Sequence, residues 1–248
     1  LLAVLLWAAA PGIATGGATG VVDELVPGDT AVVKRVVDGD TVVLEQAIDG
    51  ATQVRLVGIQ APKLPLGRTG FRAWPLSAES KAALEALALG RKVELRYGGR
   101  RMDRHGRLLA HLYMAARDGS NQTDGGGWVQ GALIDQGMAR VYSFPDNRSH
   151  VVEMLARERA ARTARRGIWG HPYYALRPVD GAGSLGSLGG TGTPIGTFQI
   201  VEGTVLAAAR VKGRVYLNFG PDWHTDFTVS LDSQARRLFR KMNIDPLD

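Results

Sequence analysis

The chain has 248 residues, 45% of them hydrophobic and 22% charged, enough for one sizeable domain plus a smaller one and too well mixed for wholesale disorder. Lys and Arg outnumber Asp and Glu by 30 to 24, and the resulting charge of +6, carried mostly by arginine, favours phosphate, nucleic acid or anionic lipid as partner. Cysteine is absent, which excludes disulfides, thiolate metal sites and a cysteine nucleophile.

The first residues, LLAVLLWAAAPGIATGG, form an apolar run of about ten residues followed by small residues and a proline, so 1–20 has the pattern of a secretory signal. The run is too short to span a bilayer, and the expectation is an exported protein, periplasmic or extracellular, with no stable membrane span once mature. AVVKRVVDGDTVVLEQ then reads as a β-hairpin, with Asp38-Gly39-Asp40 interrupting the β-branched residues as a turn does. ATQVRLVGIQAP reads as a further strand that stops at Pro62, which has no N–H for a ladder. Residues 63–75, with their prolines and glycines, read as a surface loop beside the strand ends.

SAESKAALEALALG reads as a helix with Ser77 as N-cap, Glu79 in the first turn and Gly90 as stop. RKVELRYGG and HGRLLAHLYMA read as two strands joined by a turn that contains Asp103, His105 and Gly106. After a glycine-rich loop, WVQGALIDQG reads as a short helix. The stretch from about Asp146 to Arg166 reads as a third helix, capped by Asp146 or Asn147, with arginines that answer the helix C-terminal dipole on a solvated face. Residues 181–196 have the composition of a flexible Gly/Ser linker, and 197–248 read as a small β-rich module of three or four strands and a helix, with further strands expected to belong to it. A partial barrel would suit that strand order.

VVDGDTV, VRLVGIQAP and DRHGRLLAHLY occur in the order found in the staphylococcal nuclease (thermonuclease) family, and from about Thr30 to Tyr174 the chain resembles that family. The resemblance implies an α+β fold, mainly β: an OB-type five-stranded barrel with three helices over 28–176. It also implies phosphodiester hydrolysis, with Ca²⁺ held by carboxylates and a backbone carbonyl, a glutamate as general base, and two arginines on the phosphate. On that pattern Asp40 is the first metal carboxylate with Asp38 its neighbour, Arg55 and Arg107 are the catalytic phosphate arginines, and the Ala61 carbonyl completes the metal set.

Two positions depart from the pattern. Gln60 stands where a second metal carboxylate is expected, and Lys63 stands at the position of the base. An amide oxygen weakens a Ca²⁺ site, and a protonated lysine cannot take a proton from water. The expectation is therefore a protein that binds DNA, RNA or another phosphate-bearing polymer, with weakened or lost phosphodiesterase activity and Ca²⁺ held weakly. The alternative is an active Ca²⁺-dependent nuclease whose base has moved to Glu45, Glu79 or an unassisted water.

Structural roles compete for the same residues. Asp38 and Asp40 can serve as turn formers, and Arg107 can pair with Asp103. Arg55, in an apolar strand, requires a partner or a function. Lys63 is either a solvated loop lysine or, with Arg68 and Arg72, a cationic rim for the phosphates. His105 and His111 lack a metal-binding spacing partner and read as structural, and Asp222, His224 and Asp226 read as a polar turn.

Overall fold

A computed structural model describes residues 25–115, 127–179, 200–241 and 244–247. The signal-like 1–20 segment and the 181–196 linker lie outside the described residues. The chain divides into two units, Gly17–Tyr173 and, among its other residues, Tyr174–Asp248.

In the first unit β1 (Val26–Asp38), β2 (Thr41–Ile48), β3 (Ala51–Leu56), β5 (Lys92–Tyr97) and β6 (Leu108–Met114) close into a barrel in the order β1-β2-β3-β6-β5. All neighbouring pairs are antiparallel except β3 with β6. This is the five-stranded OB-like arrangement in an α+β domain. The alternation of β-branched and leucine residues fills the interior: Val42 and Leu44, Val54 and Leu56, Val93 and Leu95, and Leu108, Ala110 and Leu112 are all buried. On β1 the buried pair Val33 and Val36 is three residues apart, which breaks a period of two. The pairing with β2 shifts register between Val33 and Arg35, and a bulge there returns Val36 to the inner face.

The strand expected to run unbroken to Pro62 is split. Gly58, at φ 78°, turns the chain after β3, and a two-residue strand β4 (Ile59–Gln60) pairs with β7 (Arg140–Val141) instead of continuing the barrel. That turn places Gln60 and Ala61 beside the β1–β2 hairpin.

Helix α1 (Ser77–Ala88) buries Leu84 and Ala88 against the barrel core. Its N-cap is Leu76, at φ 61°, and Ser77 is a buried helical residue rather than the cap. Helix α2 (Val129–Asp135) contributes Leu133 and Ile134 to the core, and its buried Gln130 accepts from the Leu112 N–H and donates to the Ala110 carbonyl.

Helix α3 spans Val151–Thr163, starting later than the sequence suggested. Asn147, one of the two residues expected to cap it, is used elsewhere: its Nδ2 donates to the Arg100 carbonyl at 3.0 Å, and next to it Ser149 Oγ donates to the Gly98 carbonyl at 3.1 Å. These bonds hold the chain against the β5–β6 hairpin until His150, at φ 58°, opens the helix. Arg157 of α3 pairs with Glu153 at 2.8 Å and with Asp135 at 2.6 Å, so the helix's arginines include one held by carboxylates of its own domain.

The second unit pairs β8 (Arg177–Pro178) with β9 (Val201–Glu202) and forms an antiparallel meander of β10 (Ala207–Val211), β11 (Arg214–Asn218) and β12 (Thr228–Leu231), followed by α4 (Ser233–Lys241). Val215, Leu217, Phe219, Phe227, Val229 and Leu231 are buried in its core. Its described strands form open sheets rather than a partial barrel. Asp222 accepts from the backbone N–H of His224 at 3.0 Å and the Thr225 hydroxyl at 3.1 Å, so this acidic cluster is a self-bonded turn. Among the described residues no helix is long and apolar enough to cross a membrane.

Candidate phosphate and cation site

The Asp38–Thr41 hairpin turn lies under the N-terminal part of α1. Gly39 is required there by close approach, since a Cβ would collide with the Ser80 hydroxyl and sit 2.7 Å from the Ala61 Cβ. Asp38 Oδ1 accepts from the Asp40 N–H at 3.2 Å and shapes the turn. The turn delivers the Asp40 carboxylate, fully buried, into a set of donors.

Asp40 Oδ2 accepts from the Ala61 N–H at 2.8 Å and lies 3.2 Å from Arg55 Nη2. Its Oδ1 accepts from the Thr41 hydroxyl at 3.2 Å. Lys63 Nζ reaches both oxygens, at 2.9 and 2.7 Å, and stands 3.5 Å from Asp38 Oδ2. Burial alone would raise the Asp40 pKa, but the Arg55 and Lys63 charges, with the Lys63 and Ala61 hydrogen bonds, outweigh it and hold the carboxyl at about 2. Asp38 moves the other way: burial and the adjacent Asp40 charge raise it, and Lys63 offsets this only in part.

Arg55 is tied down on all sides. Besides Asp40, its guanidinium donates to the carbonyls of Asp40 at 3.2 Å, Leu56 at 2.8 Å and Ile59 at 2.7 Å, and its side chain is 14% exposed. It fastens the β1–β2 turn, β3 and β4 together around the carboxylate. Lys63 is held from behind, because the Trp74 N–H donates to the Lys63 carbonyl at 2.9 Å and closes the 63–74 loop. The lysine therefore turns inward onto the carboxylates.

Gln60 faces a partner that sequence reasoning missed. Its Oε1 accepts from Arg140 Nε at 3.1 Å and Nη2 at 2.5 Å, across the β4–β7 pair. Arg140 is buried, with its guanidinium 5.6 Å from the Trp74 ring. The available signal was a cation in the apolar stretch MARVY, the same signal that singled out Arg55.

Arg107 is held by a partner of its own. Its guanidinium forms a two-point pair with Asp103, Nε at 2.8 Å and Nη2 at 2.7 Å, and its side chain remains 30% exposed. With Thr52, Gln53, His105 and Gly106 it lines a polar groove of about 570 Å³ at the β2–β3 and β5–β6 turns. Arg68 bonds its own loop at the carbonyls of Leu64 and Pro65 and stacks on Phe71 at 3.8 Å, whereas Arg72 is exposed. Glu45 and Glu79 are exposed, and neither hydrogen-bonds to the Asp40 cluster. Near Gln60 the rings of Tyr142 and Phe144 meet edge to face at 5.0 Å, with Phe144 half exposed.

The donor set does not fit a resident Ca²⁺ ion, which takes six to eight oxygens. Both Asp40 oxygens already accept from Lys63, and the Gln60 oxygen is turned to Arg140. No group of three or more His, Cys, Asp or Glu residues capable of holding a metal occurs among the described residues.

The family model described as staphylococcal nuclease homologue matches residues 53–171. That match runs from within β3 through α3, hence over Arg55, Gln60, Lys63, Arg107 and Arg140. No curated protein matches the chain. The hairpin that carries Asp38 and Asp40 precedes the matched residues but belongs to the same closed barrel. Over residues 53–171 the chain is similar to the staphylococcal nuclease homologue family, and the closed five-stranded barrel is the fold that this match implies.

Proposed function

We propose that the protein is an exported nucleic-acid-binding member of this nuclease family, or a binder of another phosphate-bearing polymer, with weakened or lost phosphodiesterase activity. The observation that carries the reading is the saturation of Asp40. A carboxylate that accepts from an ammonium, a backbone N–H, a hydroxyl and a guanidinium has no lone pair left for a water or a metal. The residue at the base position, Lys63, donates into that same carboxylate, so it accepts no proton.

What the barrel keeps is the means to hold phosphate. Arg107 offers a guanidinium oriented by Asp103 at the wall of a polar groove, and Arg72 adds an exposed charge on the loop that Lys63 anchors. The half-exposed ring of Phe144, braced edge to face by Tyr142, supplies apolar surface on which a splayed base can stack. Arg55 acts one step behind the surface, by fixing the Asp40 carboxylate and the turn that carries it. Ca²⁺ at this site must displace Lys63 and is held weakly. Export is supported by the apolar start and small-residue stretch within 1–20.

Binding through phosphates is salt-dependent. Affinity for single-stranded DNA, measured by fluorescence anisotropy, should fall steeply between low and physiological salt, and Arg107→Ala should weaken it by roughly tenfold and flatten the salt slope. Retained affinity in Arg107→Ala, with an unchanged slope, would place the polymer elsewhere on the molecule.

A further inference from the structure

We propose that the Lys63 ammonium is the resident cation of this site, standing between Asp38 and Asp40 where a divalent ion would bridge them, so that the domain's stability and its polymer binding need no Ca²⁺. The inference concerns the same site as the binding reading and goes beyond it by assigning the cation to the chain itself.

Three observations carry it. The ammonium contacts both Asp40 oxygens at 2.9 and 2.7 Å and the nearer Asp38 oxygen at 3.5 Å, a bridging position rather than a single ion pair. Its backbone is pinned, by the Trp74 N–H on its carbonyl and by the buried Ala61 and Pro62 before it, so the amine is delivered by the fold and does not depend on a free loop. Gln60, the neutral residue beside it, is drawn off by Arg140.

Charge decides the rest. The formal charges of Asp38, Asp40, Arg55 and Lys63 cancel. A divalent ion entering beside a retained ammonium would leave two net positive charges in this largely buried set, which the low local dielectric opposes strongly. Displacing the ammonium instead would cost its hydrogen bonds to Asp40 and return too few oxygens to satisfy the ion. Lysine in this position therefore does what a bound ion would do structurally, neutralising two adjacent carboxylates, but it offers no open coordination position for a water.

The test uses the full chain, with Ca²⁺ itself as the probe, read by calorimetric titration and by thermal unfolding in chelator and in about 5 mM Ca²⁺. The natural protein is expected to give no saturable heat, the same Tm in both buffers, and the same retention of labelled oligonucleotide in both. Lys63→Met is expected to lower Tm in chelator by on the order of 10 °C and to recover part of that loss in Ca²⁺, because Asp38 and Asp40 then face each other without their cation. The double variant Gln60→Asp, Lys63→Glu is expected to bind Ca²⁺ with a clear rise in Tm.

Saturable Ca²⁺ binding that stabilises the natural protein overturns the proposal. So does a Lys63→Met protein as stable as the natural one and blind to Ca²⁺, or a folded double variant that ignores the ion. Should both variants fail to fold, the titration of the natural protein still decides. Natural protein that ignores Ca²⁺ and also fails to retain oligonucleotide leaves this assignment standing and removes the polymer-binding reading instead.

Discussion

Arg55→Leu should destabilise the barrel by about 3–5 kcal/mol, enough to lower Tm by roughly 10 °C in thermal unfolding followed by circular dichroism. The substitution removes the guanidinium that pairs with a fully buried carboxylate and leaves the carbonyls of Asp40, Leu56 and Ile59 without their side-chain donor. Breaking one half of a buried pair is expensive because the remaining charge stays buried, and here Lys63 offsets only part of that. The resemblance assigns Arg55 to the phosphate, and a residue with that duty alone would affect binding while sparing stability. A variant with unchanged Tm and lost oligonucleotide binding would restore the phosphate role and refute the structural one.

Acid should destabilise the domain as the pH falls below about 6.5, and His111 is the reason. Its imidazole is completely buried between Trp128 and His150, and neither ring nitrogen hydrogen-bonds to another protein group. Burial, with a smaller contribution from His150, pushes its pKa from 6.5 down to about 3. Between those values the unfolded chain binds a proton that the folded chain refuses. The fold keeps its full stability above about pH 6.5 and loses it as the pH drops, by roughly 3 kcal/mol at pH 4. Asp40 acts in the same direction but lower, since its contribution is present above about pH 4 and disappears as the pH falls towards 2. His111→Leu should flatten urea-unfolding stability between pH 7 and pH 4.5 and leave or raise it at pH 8, because an apolar side chain there loses no hydrogen bond. A variant with the same pH slope as the natural protein would mean that His111 is not the responsible group.

The barrel could be read from the sequence because its strands alternate cleanly and its turns carry glycine and aspartate at the right places. Val42, Leu44, Val54, Leu56, Val93 and Leu95 point inward as a period of two requires. The reading lost accuracy where tertiary contacts override local pattern. Asn147 and Ser149 have the chemistry of helix caps, yet each is spent on a carbonyl of the neighbouring hairpin. Gly58 looks like an ordinary residue within a strand, and only the pairing of Gln60 with Arg140 shows why the chain turns there.

The site was legible in its identities and illegible in its contacts. The sequence places Asp38, Asp40, Arg55, Gln60 and Lys63 on adjacent strand ends and shows that two of them are of unexpected type. It cannot show that Lys63 turns inward, because that depends on the closure of the 63–74 loop at Trp74, nor that Arg140 satisfies Gln60 from eighty residues away. The placing of Arg107 is a matter of strand register. Leu109 is the β6 partner of Arg55, so Arg107 falls two residues back, towards Gln53 and the groove.

The central claim, polymer binding on a nuclease barrel without efficient cleavage, is tested most directly by incubating end-labelled single-stranded DNA with the purified protein in Ca²⁺ and in chelator and following both retention and length. The account predicts retained oligonucleotide of unchanged length in both buffers, released by salt. Ca²⁺-dependent shortening that disappears in chelator would contradict it and establish an active nuclease with its base elsewhere.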